Sequence, residues 1–150
     1  MSRIASIIDA VAAWTPVYDS DVAIAVRQSS TLIETLQPDD CPLRMLLVVD
    51  DDSESEFEFI AMGGTIKAAW RLIDRLYIRP AGEGEGIAAW ADKVEAYVSS
   101  YAGVVRSNRN PVAMVTIPSF TYSSGVREWG GVPWATITMV LNVEDYKNAT

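Results

Sequence analysis

The segment between residues 135 and 144 constrains the fold of this chain more than any other, because its side chains alternate between apolar and polar. A period of two residues is typical of a β-strand that buries one face. Strands of this kind belong to antiparallel sheets whose other face meets solvent. The predicted inward face consists of Ala135, Ile137, Met139, Leu141 and Val143, and the outward face of Thr136, Thr138, Asn142 and Glu144.

Two other segments predict further strands. Residues 43–49 are apolar apart from Arg44, and a run of this length suits a buried strand better than a helix. Residues 56–59 alternate acid with aromatic, and the glycines at 63–64 are a hairpin turn signal that leads into residues 65–79. We therefore expect two long antiparallel strands joined by a hairpin.

Residues 65–79 are compatible with a helix or a strand. Their apolar residues fit both periods, and Asp74 interrupts the strand pattern. We favour the strand, because Arg71, Arg75 and Arg79 also alternate on its other face.

The remaining strand signals are shorter. Residues 112–117 predict a strand bounded by Pro118, and the mixed aromatic and polar residues from 119 to 131 predict a loop with a mobile tip. A short strand over 22–26 and a one-turn helix that ends at Leu36 are indicated by weaker patterns.

Two segments have the apolar spacing of amphipathic helices. The first covers residues 3–14, and the second begins at residue 87 and ends at Gly103. Their apolar stripes are Ile4, Ile7, Ile8, Val11 and Trp14 in the first helix, and Ile87, Trp90, Val94, Tyr97, Val98 and Tyr101 in the second.

The order of these elements predicts an α+β fold. A mostly antiparallel sheet with long hairpins would pack against an N-terminal helix and a central helix. The chain has 150 residues, of which 49% are hydrophobic and 21% charged, so residues 1–150 are expected to form a single domain with one core.

The composition excludes much of catalytic chemistry. Histidine is absent, so no Ser-His, Cys-His or HExxH arrangement exists, and the lone Cys41 has neither a disulfide partner nor an adjacent base. The glycines at 82, 84 and 86 lack the spacing of a nucleotide loop and alternate with acids, which indicates a solvated hinge. We expect no enzymatic activity, no cofactor and no metal.

Negative charge is concentrated in one stretch. The net charge is −8, and nine of the twenty acids fall between residues 34 and 58, including Asp50, Asp51, Asp52 and Glu54. This stretch could be a solvated loop, a divalent-cation site without EF-hand spacing, or a negative surface that DNA passes without binding. A paired-carboxylate hydrolase is a fourth, weaker reading.

The aromatic residues divide into two groups. Trp14 and Trp90 lie on the apolar faces of the predicted helices and are assigned to the core. Trp129 and Trp134 flank a Gly-Gly-Val-Pro turn at the mouth of the last hairpin, and we predict that they contact a partner or another subunit, together with Tyr122. The alternative is that the two tryptophans cap the core.

The order of elements and the closing segment at 129–143 resemble the tail terminator, or tail completion, proteins of long-tailed bacteriophages, of the lambda-like kind. The opening helix, the entry Asp39-Asp40-Cys41-Pro42-Leu43 into a core strand and the aromatic-glycine strand carry the resemblance. It implies a virion protein that forms a homohexameric ring on the tail tube, stops tube growth and joins the tail to the head-tail connector or neck proteins, while DNA passes through.

Two other readings fit the same residues. One is another neck or tail-completion protein, and the other is a small acidic protein that mimics DNA and binds a host factor. Asp9 interrupts the N-terminal apolar residues where a signal peptide would need them, so we expect the chain to stay in the cytoplasm, with no membrane partner. The resemblance to tail terminators implies assembly in the host cytoplasm and residence in the virion, at the head-proximal end of the tail.

Overall fold

A computed structural model describes residues 3–28, 36–48, 58–62, 64–81 and 86–148 of the chain. The described helices and strands follow one another in a single order along the chain. They are α1 (Arg3–Ala12), β1 (Ala25–Gln28), a short 3-10 helix (Pro38–Asp40), β2 (Leu43–Leu47), β3 (Glu58–Met62), β4 (Thr65–Pro80), α2 (Ile87–Ser107), β5 (Val115–Trp129) and β6 (Val132–Asn148).

The described strands form one six-stranded sheet in the order β1, β2, β4, β6, β5, with β3 paired to β4. One side of β4 pairs along its whole length with β6. Its other side is shared, because residues 65–69 pair with β3 and residues 73–77 pair with β2. Only the β1–β2 pair is parallel among these strands. The α+β class with a mostly antiparallel sheet is therefore confirmed.

The ambiguous segment 65–79 is a strand, as predicted, and it is the centre of the sheet. The last strand is also confirmed, with Ala135, Ile137, Met139, Leu141 and Val143 all buried, but Thr136 of the predicted outward face is buried as well, and its hydroxyl donates to the Gly125 carbonyl. A two-residue turn joins β5 to β6, and both Gly130 and Gly131 have positive φ angles, of 62° and 80°. Glycine suits both positions, because side chains disfavour this conformation in a tight hairpin turn.

Two predicted boundaries are wrong. The strand does not end at Pro118, and residues 119–129 are not a loop, because β5 continues to Trp129. Proline is tolerated here because β5 lies at the edge of the described sheet, and a bulge between Thr116 and Ser119 interrupts the pairing. Likewise α2 passes through the exposed Gly103 to Ser107, since Val105 packs in the core and this packing outweighs the weak helix propensity of glycine.

The weaker predictions were only partly accurate. The short strand lies at Ala25–Gln28 rather than 22–26, and the first helix ends two residues early, at Ala12. The one-turn helix before Leu36 falls largely outside the described residues.

The main core lies between the helices and one face of the sheet, which we call the helix face. Trp14 is buried there, as predicted, and Trp90 is partly buried against the same cluster. The fully covered residues of this core come from both helices and four strands. They include Ile7, Val11, Leu46, Leu72, Leu76, Tyr97, Tyr101, Val115, Ile117, Ile137, Met139, Leu141 and Val143.

A second, smaller cluster lies on the opposite face of the sheet, which we call the open face. It consists of Leu36, Leu43, Met45, Tyr77 and Trp134, with Cys41, Leu47 and Trp129 packed against it. The half-buried position predicted for Cys41 is confirmed. Because β2 and β4 contribute to both clusters, this part of the sheet is buried on both faces.

Candidate functional site

Two of the three predicted contact residues, Trp129 and Trp134, lie in the second cluster, whereas Tyr122 lies on the opposite face of the sheet. Trp134 is 1% exposed and belongs to the second cluster, so its ring is covered within the chain itself. Trp129 is partly buried and packs edge-on against Tyr77, with 4.9 Å between ring centroids. Tyr122 is 56% exposed and is paired with Met139, on the helix face of the sheet. Of the three, Tyr122 presents the most surface to a partner.

The acidic stretch is mostly outside the described residues, and Asp50, Asp51, Asp52 and Glu54 all lie there. Asp39 and Asp40 of this stretch lie in a described segment. They form the end of the 3-10 helix, and the Asp40 carboxylate accepts a hydrogen bond from the backbone N–H of Gln37 at 2.9 Å. Burial and then the charge of Asp40 raise the pKa of the Cys41 thiol to about 11.

The most unusual surface is the outer edge of β5. Within the described residues, this 15-residue strand lies at one end of the sheet and pairs with β6 on its inner side. Residues 119–126 contain neither a charged residue nor a proline, and most of them are exposed. Edge strands are normally protected by charges, proline or bulges, since their free N–H and C=O groups can pair with another chain. In β5 these protective features occur only at the start of the strand, where Pro118 and the bulge lie, and at its end, where Arg127 and Glu128 lie.

An apolar groove follows this edge on the helix face. It has a volume of about 470 Å³ and lies between the outer side of α2 and β5. Ile87 is 89% exposed at one end, and Tyr122 lies on the strand side. Val126, also on β5, is 64% exposed. An unprotected strand edge beside exposed apolar side chains is typical of an interaction surface.

The sheet that carries this edge is fixed to the helices by a buried polar cluster. The Arg44 guanidinium on β2 donates to the Asp74 carboxylate on β4, with 2.6 Å between Nη2 and Oδ2. It also donates to the backbone carbonyl of Val11 in the last turn of α1, at 3.2 Å, and to that of Trp14, two residues beyond the helix, at 2.7 Å. The Tyr101 hydroxyl on α2 donates to the same carboxylate at 2.6 Å. Four elements therefore meet at one ion pair.

Electrostatics in this cluster follow from burial and from Asp74. Burial opposes the charge of the guanidinium, but the charge and hydrogen bonds of Asp74 outweigh this effect and raise the pKa of Arg44. Burial and the Asp74 charge also raise the pKa of Tyr97 and of Tyr101 well above the ordinary tyrosine value. The arrangement keeps Arg44 charged and both tyrosines neutral at physiological pH.

Sequence reasoning missed this cluster. Arg44 and Asp74 each appeared as an interruption of an apolar strand, and Tyr101 as one member of an apolar stripe. The sequence does contain a signal for it, because each of two strands predicted to be buried carries one charged residue, and the two charges are opposite in sign. Such charges are rarely buried unless paired.

On the open face, polar contacts surround the bulge of β5. Lys67 and Glu144 form an ion pair at 3.0 Å, and the Asn142 amide donates to the Ser119 hydroxyl at 2.9 Å. The hydrogen bond from Lys67 outweighs partial burial and lowers the pKa of Glu144. Both members of the ion pair are partly exposed, so the pair contributes little to stability.

Comparisons with known proteins give no assignment. No family model matches the chain. No curated protein matches it either. In the part of the chain that the structure describes, no group of three or more acidic or cysteine side chains could hold a metal ion. None of the described helices is both long and apolar enough to span a membrane.

Proposed function

We propose that this chain is a structural subunit that assembles into a ring, and that the ring is the tail terminator of a long-tailed bacteriophage. In this role it caps the tail tube and joins it to the neck, and DNA passes through without specific binding. The subunit acts within the virion, at the head-proximal end of the tail, and it performs no catalysis.

The observation that carries the proposal is the uncharged outer edge of β5. An edge of eight residues without charge or proline, beside exposed Tyr122 and Val126, suits a strand that is covered in an assembly. The buried Arg44–Asp74 cluster supports the same role, because it ties both helices to the sheet and gives the subunit a rigid body for assembly.

The negative charge of the chain agrees with a ring around DNA. A net charge of −8 opposes binding of the phosphate backbone, so DNA can move past the ring without adhering. The same charge also suits the second candidate function, an acidic protein that mimics DNA and binds a host factor. A mimic can act as a monomer or dimer, whereas a terminator must form a closed ring.

Tube-length control tests the proposal directly. The subunit is added to its tail tube protein during polymerisation in vitro, and tube lengths are measured by electron microscopy. A terminator shortens the tubes in proportion to its concentration and is found at one end. Tubes of unchanged length with no subunit at either end would contradict the proposal, and binding to a host nucleic-acid-binding protein instead would favour the mimic.

A further inference from the structure

Among the described strands, β1 and β5 lie at the two ends of the strand order and differ in length and chemistry, while β3 pairs with β4 alone. At one end lies β5 with its uncharged segment 119–126, and at the other lies β1, which pairs with β2 on its inner side. Ala25 and Arg27 of β1 are exposed. Within the described residues, each of these strands therefore has one side without a paired strand.

Strand directions determine how these two edges can meet. β5 is antiparallel to β6, which is antiparallel to β4, so β5 and β4 run in the same direction. β2 is antiparallel to β4, and β1 is parallel to β2, so β1 runs opposite to β5. If rotation about an axis along the strands relates the copies in a ring, every copy keeps the same strand directions. The β5 edge of one copy then meets the β1 edge of the next in antiparallel orientation, the more stable kind of strand pairing.

The side chains of the two edges also match. On the helix face, Ile24 just before β1, Val26 of β1 and Phe120 of β5 all pack partly against the main core, so this face is apolar at both edges. Tyr122 and Val126 extend the apolar surface of β5. On the open face, β1 carries Ala25 and Arg27, and β5 carries small or polar residues. In a joined sheet, apolar residues of one subunit would therefore lie beside apolar residues of the next on the helix face.

We propose that β5 of one subunit adds to β1 of a second copy of this chain, so that the sheet continues from subunit to subunit around the ring. This inference rests on the proposed ring and names the joint that closes it. The joint is head-to-tail, because it uses two different surfaces of the same chain, and head-to-tail contacts generate closed rings when the rotation closes.

Cysteine cross-linking tests the joint. In a Cys41→Ser background, Ala25→Cys on β1 is combined in turn with Thr121→Cys, Ser123→Cys or Gly125→Cys, which lie on the open face of β5 and cover successive registers. Concentrated protein is treated with a bis-maleimide that spans about 8 Å. Within one chain, β1 and β5 are four strand spacings, or about 19 Å, apart, so the reagent cannot join them intramolecularly.

The proposed joint has a specific pattern of products. At least one double variant should form a ladder of covalent multimers, each single variant should stay monomeric, and an equal mixture of two single variants should stop at dimers. Dimers from a β5 single variant alone would show that two β5 edges meet each other and would overturn the joint. Absence of cross-links in all three double variants would overturn it as well.

The same variants separate failure of the joint from failure of the proposed function. If mass photometry shows rings but none of the double variants cross-links, the proposed ring is retained and this joint is rejected. Cross-linked rings that do not bind or shorten tail tubes would support the joint and reject the terminator function.

Discussion

Arg44 and Asp74 form an ion pair in which both side chains are almost fully buried, with the guanidinium also bonded to two carbonyls in and just beyond the last turn of α1. The polar groups that meet at this pair come from four separate elements of the chain. Arg44 lies on β2, Asp74 on β4, and the second donor to the Asp74 carboxylate, Tyr101, on α2. Loss of one member leaves a buried charge without compensation, which costs far more than an ordinary hydrogen bond.

Arg44→Met should therefore destabilise the subunit by about 3–5 kcal/mol, because Asp74 would remain buried without its counter-charge. The free energy of unfolding from urea denaturation measures this loss. The double variant Arg44→Met/Asp74→Leu is the matched control and should recover much of the stability, since it leaves no unpaired charge. A single variant as stable as the unaltered chain would contradict the role of the ion pair.

Two neighbouring tyrosines provide a comparison within α2. Tyr101→Phe removes a hydroxyl that donates to Asp74 and should cost about 1–3 kcal/mol. The Tyr97 hydroxyl is buried and has no hydrogen-bond partner among the described residues, so Tyr97→Phe should be neutral or slightly stabilising. If thermal unfolding shows equal destabilisation by the two substitutions, the hydrogen bond from Tyr101 to Asp74 does not contribute to the stability of the subunit.

Stability should fall at alkaline pH. In the unfolded chain, tyrosines ionise near pH 10, whereas burial and the Asp74 charge raise the pKa of Tyr97 and Tyr101 in the folded state. The folded state then binds more protons, so the free energy of unfolding decreases as pH rises above about 10, by up to about 1.4 kcal/mol per pH unit for each tyrosine. Urea denaturation at pH 8, 10 and 11 measures the slope, and the Tyr97→Phe/Tyr101→Phe variant should show a shallower one.

Much of the architecture was predictable because the strands are long and their patterns repeat. The choice of a strand for residues 65–79 was correct because alternation appeared on both faces, in Trp70 and Leu72 as well as in Arg71 and Arg75. The end at Pro118 was predicted wrongly because a local rule ignored the position of β5 at the sheet edge, where a missing N–H is tolerated.

The candidate site was less predictable, because it depends on tertiary position. Sequence patterns identify aromatic residues near a turn, but only the register shows that Trp134 faces the second cluster while Tyr122 lies on the helix face beside α2. The unprotected edge of β5 could not be recognised either, because the segment was expected to be a loop. The contribution of Asp50, Asp51 and Asp52 stays a prediction.

Trp134 and Trp129 should differ in their effects on folding. Trp134→Ala removes a fully buried ring and should cost about 3–5 kcal/mol of subunit stability. Trp129→Ala removes a partly buried ring that contacts Tyr77, and should cost about 1 kcal/mol. If Trp129 also contacts another subunit or the tube, its substitution should reduce ring assembly more than this small loss explains. Normal assembly of Trp129→Ala would mean that Trp129 packs within the subunit and makes no contact that assembly needs.

The acidic stretch should affect DNA passage rather than folding. Replacing Asp50, Asp51 and Asp52 with Asn should slow genome ejection if these residues line the ring, because less negative charge would repel the DNA within a Debye length of about 8 Å. Ejection rates from phage carrying the triple variant test this, with circular dichroism as the control for folding. Normal assembly with a normal ejection rate would mean that these acids face away from the DNA.

The central claim is that this chain forms a closed ring at the head-proximal end of a tail. Electron cryomicroscopy of purified tails that contain the subunit measures this most directly, because it gives copy number, symmetry and position at once. We expect a single ring of six copies on the last layer of the tube, with β5 of each copy against its neighbour. A single copy per tail, or absence of the protein from that end, would contradict the claim.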